Sequence, residues 1–522
     1  MTDLRVVVLV IMAAGCTGPR TGDGGTTAPP DAGRPPLVCP DFMDDSPALS
    51  TPSVARAFAW ASFSRELRFH EAARPGFTLE LTRRALADDA ITQLCPEPLF
   101  EAGRMLFEHT FSRADGLGNA VNPTGRASPL RRVHGGRFGG PDTVGCTSCH
   151  WRGGVGGAGA VTDNSFILGD GDAVDSADAR NPPSLVGVGL VQLLAAEMTE
   201  ELAAQRDGAL ARARETRAAV TVQLVAKEIS FGALIARPDG SVDTSAVEGI
   251  DADLVVRPFG WKGTFVDLTS FIEESLQVHL GIQGDDLLAD HDGDAELLGP
   301  GPASDPDQDG VTREFTGGQL QALVAFLALL DTPVVRPPET LPDLGPAAEH
   351  LRPPPQLVYT DQWIAGRALF HGAGCANCHV PSLVLKNPVL TIRSPATGVE
   401  ITLDLSRHGI GPRPTYDPVA GGYAVWAFSD FKRHDLGEGT AARHVDHGVA
   451  PTVYLTRRLW GLAQSPPYFY DGRAPSLDAA IEAHGGDGAE SRDAFAALSF
   501  PDKAALRVYL MSLRRERRPL VP

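Results

Sequence analysis

The segment Cys146-Thr-Ser-Cys149-His150 recurs as Cys375-Ala-Asn-Cys378-His379. Two thiols at this spacing, followed at once by histidine, form the pattern through which a chain takes haem covalently. The thiols add across the two vinyl groups, and the histidine reaches the iron from the same tight turn. Two other readings fit less well. A four-cysteine zinc ribbon needs its pairs some 15–20 residues apart, and these stand 229 apart. A redox dithiol needs a strand–helix–strand context, which neither segment offers. The residues therefore predict two haems c, held at Cys146, Cys149, Cys375 and Cys378, with His150 and His379 as proximal iron ligands.

The surroundings of the motifs repeat as well, and internal repeats shape a fold. Glu101-Ala-Gly-Arg-Met-Leu-Phe107 and Ile364-Ala-Gly-Arg-Ala-Leu-Phe370 share Ala-Gly-Arg-x-Leu-Phe. The shared stretch looks like the first helix of a cytochrome c domain, with glycine permitting close packing against a later helix. Gly366 precedes Cys375 by nine residues and Gly103 precedes Cys146 by 43, so the first half carries an insertion of about 34 residues. Each half ends in an apolar run at helical spacing, 318–330 and 503–513, followed by proline, which stops a helix. Strand signals are few. The expected fold is mainly α: two cytochrome c-like haem domains with long irregular loops. The expected boundaries are 37–335 for the first domain, 336–355 for a stiff proline-rich linker and 356–522 for the second.

Seven cysteines are present, and four belong to the haem motifs. The chain opens with a short apolar stretch, Val6 to Ala14, before Gly15-Cys16. That is too short to cross a bilayer and suits a signal peptide. Met12-Ala13-Ala14-Gly15-Cys16 resembles a bacterial lipobox, although Ala13 stands where leucine is usual; the alternative is an ordinary signal peptide cut nearby. The expectation is a signal of residues 1–16, lipidation at Cys16, a flexible tether over 17–36, and a periplasmic, lipid-anchored protein, at the outer membrane. Cys39 and Cys95 remain, and in an oxidising compartment two such thiols pair; the other outcome is two buried thiols. A formal net charge of −19 repels phosphate backbones and makes nucleic acid an unsuitable partner, a small basic protein a more natural one.

Further segments carry a family resemblance. They are Asp115-Gly-Leu-Gly118, Arg180-Asn-Pro-Pro-Ser-Leu-Val-Gly-Val-Gly189, Phe259-Gly-Trp-Lys262, Ser429-Asp-Phe-Lys-Arg-His-Asp-Leu-Gly437, Leu459-Trp-Gly-Leu462, and Pro467-Tyr-Phe-Tyr-Asp-Gly-Arg473 running to His484-Gly-Gly486. Over residues 98–515 the sequence resembles the bacterial di-haem oxidoreductases, labelled peroxidases or thiol oxidoreductases and related to the di-haem cytochrome c peroxidases. The resemblance implies oxidoreductase activity of a peroxidase-like kind on a small oxidant such as hydrogen peroxide. The donor would be a small cytochrome or cupredoxin. Two other activities remain open: electron transfer with both irons six-coordinate, and oxidation of a protein partner.

The sixth ligand decides between these. Relatives place a methionine in a His-Asp-Met-Gly stretch after the second motif. Here the stretch is His434-Asp435-Leu436-Gly437, and no methionine lies between 380 and 460. His434 is the expected distal ligand, with His444 and His447 as alternatives; a surface histidine is the competing reading. Relatives carry a proton-managing glutamate near the first haem. His279 stands at that position and would act as a base or close the iron; Glu273 and Glu274 read as solvated. His109 and His134 are lesser candidates. Relatives also relay electrons through a tryptophan between the haems, which makes Trp261, or Trp151, either a relay or a packing aromatic. Asp305, Asp307 and Asp309 alternate before Gly310 as in a calcium loop, but Thr316 replaces the closing glutamate; Ca²⁺ or a solvated acidic turn are the two readings. Asp290-His-Asp-Gly-Asp294 is a second acidic cluster.

Overall fold

The repeated Ala-Gly-Arg-x-Leu-Phe stretch forms a helix in each half of the computed structural model. Helix α1 is Pro96–Glu108 and packs on α2, Gly317–Ala328; helix α3 is Leu357–Gly372 and packs on α4, Phe500–Met511. Glycine is required at both crossings. A Cβ on Gly103 would lie 2.0 Å from the Ala322 carbonyl oxygen, and one on Gly366 would lie 2.1 Å from that of Ala505. The helix starts follow from local chemistry. Thr316 caps α2 by accepting from the Gln319 amide, while Gln319 reaches back to the Thr316 amide. Ser499 caps α4, and Pro501 fits its first turn. Helix α2 is buried on every side, whereas α4 buries Ala505, Leu506, Tyr509 and Leu510 along one face.

The described residues are 39, 43–44, 77–118, 133, 141–291, 298–299, 301–332, 335 and 357–515. Residues from Cys39 onward form one compact unit. The expected lipid site Cys16, tether 17–36 and linker 336–355 lie outside the described residues, as do His134 and most of the Asp290–Asp294 cluster. Cys39 and Cys95 are joined by a disulfide. No helix among the described residues is long and apolar enough to cross a membrane.

The expectation of a mainly α fold is corrected here: helix accounts for 38% and strand for 17%. After a long helix, Val188–Thr216, strands β1 (Val220–Ala226), β2 (Ile229–Ala236) and β3 (Val242–Val247) form an antiparallel sheet in sequence order. A hairpin of β4 (Val389–Arg393) and β5 (Glu400–Asp404) follows in the second half. Its physical basis is period-two patterning: Leu390, Ile392, Ile401 and Leu403 are buried while Thr391 and Thr402 face out. These strands are insertions on the helical frame and so carry none of the haem-motif signals.

The core crosses the expected linker. The hairpin's apolar face shares one cluster with α1 and α2. Gln321 of α2 donates to the carbonyls of Ile392 (3.0 Å) and Val399 (2.9 Å). Arg515 completes the second half by returning to the first. Its Nε donates to both carboxylate oxygens of Asp331, at 3.0 and 2.9 Å, and its Nη1 to the carbonyls of Gly153 (2.9 Å) and Val155 (3.1 Å), in the loop after His150.

Candidate haem sites

Both Cys-x-x-Cys-His segments fold as one short 3₁₀ turn, Cys146–Ser148 and Cys375–Asn377. The histidine amide closes each turn on the first cysteine's carbonyl, at 2.9 Å for His150 and 3.0 Å for His379. Gly374 enters the second turn at φ +79, where a side chain would be strained. Thiols and imidazole thus project from five residues.

The orientation of the imidazoles is fixed by main chain. Nδ1 of His150 lies 3.0 Å from the Pro183 carbonyl oxygen and 3.2 Å from that of Gly157. Nδ1 of His379 lies 3.2 Å from the Phe428 carbonyl oxygen. A carbonyl only accepts, so each Nδ1 carries the proton and each Nε2 keeps its lone pair for a metal. Burial lowers both imidazoles to about 4 and keeps them neutral. It also raises the Cys146 thiol to about 12 and that of Cys375 to about 11. Neutral imidazole beside two thiols outside any disulfide, twice over, is the donor set that haem attachment needs.

The second turn opens into a cavity of about 320 Å³. Cys375, Cys378 and His379 line it, and His484 faces them. The His484 ring centre is 6.4 Å from that of His379. Its Nδ1 donates to the Ala480 carbonyl at 2.8 Å, one helical turn back, so its Nε2 is also free to ligate. Sequence reasoning did not single out His484 because it lies 105 residues beyond His379; the signal was its place in the His484-Gly-Gly486 stretch. His434, the expected ligand, sits beside Cys378 on a short strand, with Nε2 2.8 Å from Asp430 Oδ2. Burial opposes its charge, but Asp430 outweighs burial and raises it to about 10. His434 lines the same cavity. His444 and His447 lie outside the cavity, on Asp178 and on Asp446 with Glu274.

At the first turn the nearby imidazole is His279, close enough to His150 for their charges to act on each other. It lies in a π-helical turn, Leu276–Leu280, a wide turn frequent at functional sites. Asp142, just ahead of the haem motif, holds it: Asp142 Oδ2 is 3.1 Å from His279 Nδ1, and the Asp142 amide donates to the His279 carbonyl at 3.0 Å. Burial lowers His279, but the Asp142 charge prevails and raises it. Glu273, one helix earlier, is buried rather than solvated; burial and then Asp286 push it up to about 8. His109 is buried against Phe111 and Asp115.

Trp261 lies between the two sites. Its Nε1 donates to the Asn181 carbonyl at 3.0 Å, two residues before the Pro183 that holds His150, and its ring lines the His379 cavity. Buried Lys262 anchors the segment through the carbonyls of Ala450, Pro451 and Val453, at 2.8–3.0 Å. Trp151 is instead half exposed, on Asp163.

The acidic loop also closes on itself. Carboxylate oxygens of Asp305, Asp307 and Asp309 lie within 4.8 Å of one another. Burial, then Asp309, pushes Asp307 up to about 8; burial, then Asp307, pushes Glu314 up to about 10. Glu314, at the tenth loop position, feels the charges of Asp307, Asp309 and Asp305, and its Oε2 accepts from the Gln283 amide at 2.6 Å.

Residues 352–513 match the family model "Di-haem oxidoreductase, putative peroxidase". The matched stretch is 162 of the chain's 522 residues and holds the second haem motif. Two solved structures are similar at 16% identity: hydrazine synthase of Kuenenia stuttgartiensis (TM-score 0.20, covering 42% of this chain and 65% of that one) and a MauG-like protein associated with microbial copper homeostasis (0.26; 53% and 77%). The chain thus spans just under two thirds of the hydrazine synthase chain. No curated protein matches the sequence. With the same donor set in both halves, the family match supports a di-haem redox role.

Proposed function

We propose that the protein is an exported, lipid-anchored di-haem c oxidoreductase that passes electrons from a small donor cytochrome or cupredoxin to a small oxidant such as hydrogen peroxide. The observation that carries this is the pair of motif histidines, each with Nδ1 on a backbone carbonyl and Nε2 left for iron. Cys146 with Cys149, and Cys375 with Cys378, would hold two haems c by thioether bonds. Bound there, these would supply reversible one-electron chemistry and an iron able to take an oxidant. His484 would hold the iron of the second haem together with His379. At the first site the Asp142–His279 pair holds a proton acceptor: Asp142 fixes the imidazole, and its Nε2 takes or returns the proton of a bound oxidant. Trp261 offers a polarisable, oxidisable indole between the two sites. Asp305, Asp307, Asp309 and Glu314 would take a Ca²⁺ ion.

A second reading has a specific support. His279 is near enough to His150 to close the first iron too, which would leave an electron carrier without an open site. Absorption spectroscopy of the purified full chain separates the two. A high-spin component that shifts on peroxide addition supports the enzyme. Two low-spin irons unmoved by peroxide, oxidised or half-reduced, would leave the carrier.

A further inference from the structure

Two adjacent arginines in the wall of the cavity at His379 stand without a carboxylate partner, although Asp487 and Glu490 line the same cavity. Arg457 and Arg458 both line it. Arg457 Nη1 donates to the Gly260 carbonyl at 3.3 Å, and its guanidinium lies 4.4 Å over the Trp261 ring. Arg458 Nη2 donates to the Ser184 carbonyl at 2.7 Å. No carboxylate among the described residues pairs with either. Two other arginines packed into the fold do have one: Arg180 has Asp446 at 3.1 Å, and Arg515 has Asp331. A guanidinium carries five N–H donors in a fixed fork, and each of this pair spends one on a carbonyl. Burying such a cation unpaired is costly, and the two repel each other. Burial lowers Arg457 to about 10; burial and then Arg457 lower Arg458 well below the usual value. The rest of the wall is largely apolar, with Phe370, Leu459, Trp460 and Leu462. The chamber therefore suits an amphipathic ligand with an apolar body and two carboxylates.

We infer that Arg457 and Arg458 form a dicationic clamp for the propionate carboxylates of the haem held at Cys375–His379. The inference rests on the di-haem reading above and assigns the anion that the chain itself does not supply. Bidentate guanidinium–carboxylate pairs are strong and directional, so the clamp would set the rotation of the macrocycle about its thioether bonds. Two cations beside the ring also favour the electron-richer, reduced iron. The first turn has its own surroundings and serves as an internal control.

The test is a potentiometric titration of the haem-loaded full chain, with haem content measured as pyridine haemochrome. In an Arg457→Gln/Arg458→Gln double variant, one midpoint should fall and the other hold. The expected change is an about tenfold shift in the oxidised-to-reduced ratio at fixed potential, or ~59 mV for a one-electron couple. Arg457→Lys and Arg458→Lys, which keep the charge but lose the fork, should hold the potential while shifting the propionate bending band in resonance Raman spectra. If the double variant does not fold, the lysine variants decide: an unmoved band overturns the clamp. Two unmoved midpoints in a two-haem double variant overturn it as well. A wild-type chain without two haems would instead overturn the di-haem reading, and the clamp with it.

Discussion

The two haem segments share a scaffold and differ in what faces it. In both, a glycine lets the first helix meet the carbonyl of a closing helix, and in both the motif histidine is fixed by a carbonyl at Nδ1. Around the second turn the chain is short, and the facing imidazole comes from the same half, with its Nδ1 on the helix that carries it. Around the first turn the approach is 43 residues long, and the facing imidazole comes from a π-helical turn held by a carboxylate. The lesson is that the attachment turn is a portable local unit, while the opposite face is assembled from whatever the connections bring there. The imidazole facing the second turn hangs on a main-chain carbonyl, and the one near the first turn hangs on a carboxylate.

That contrast can be broken most strongly at the attachment turns. A Cys375→Ala/Cys378→Ala variant should fall from two covalent haems per chain to one, by mass and by pyridine haemochrome. A variant that keeps both would remove the equivalence of the two turns. The next effect is on spin state. His484→Ala should convert the second iron from low to high spin in the absorption spectrum, while His434→Ala should leave it low spin. The reverse result would return the ligand to His434.

A stability measurement sharpens the dependence of the first site on the second half. Removing one partner of a buried ion pair costs about 3–5 kcal/mol, so Arg515→Met should lower the thermal midpoint clearly. It should also loosen the 153–155 loop, seen as faster amide exchange there. An unchanged midpoint would mean that the two halves stand independently.

The smallest effect concerns the acidic loop of the first half, for which the second has no described counterpart. Asp307 is raised to about 8 in the folded chain, against about 3.9 in an unfolded one. The folded chain therefore binds more protons across that window, and stability falls as pH rises from about 4 to 8. Calcium would replace the proton and flatten that decline. Melting curves across this range, in chelator and in calcium, should diverge with rising pH; coincident curves would leave the loop a plain acidic turn.

Much of the frame was legible in the sequence because its signals are local. The Ala-Gly-Arg-x-Leu-Phe helices, the two attachment turns and both closing helices follow from spacing within a dozen residues. The closing helices begin slightly earlier than the apolar runs, where Thr316 and Ser499 cap them. The sheet over Val220–Val247 and the hairpin at Val389–Asp404 were not anticipated, since their alternation sits in stretches without a motif. His484 was hidden for another reason: it meets His379 only once distant segments come together. His434, the expected ligand, does line the cavity, with its Nε2 on Asp430, a partner four residues earlier that the motif alone does not reveal.

Arg515 has one more consequence, and it concerns time. A ribosome makes the chain from its N-terminus, so the loop after His150 exists for some 360 residues of synthesis before Arg515 arrives to fasten it. Throughout that interval the first attachment turn is present but unbuttressed, and open to whatever machinery must reach its thiols. Residues made that late would then act as a latch, shutting the first site only when the second haem segment has been delivered.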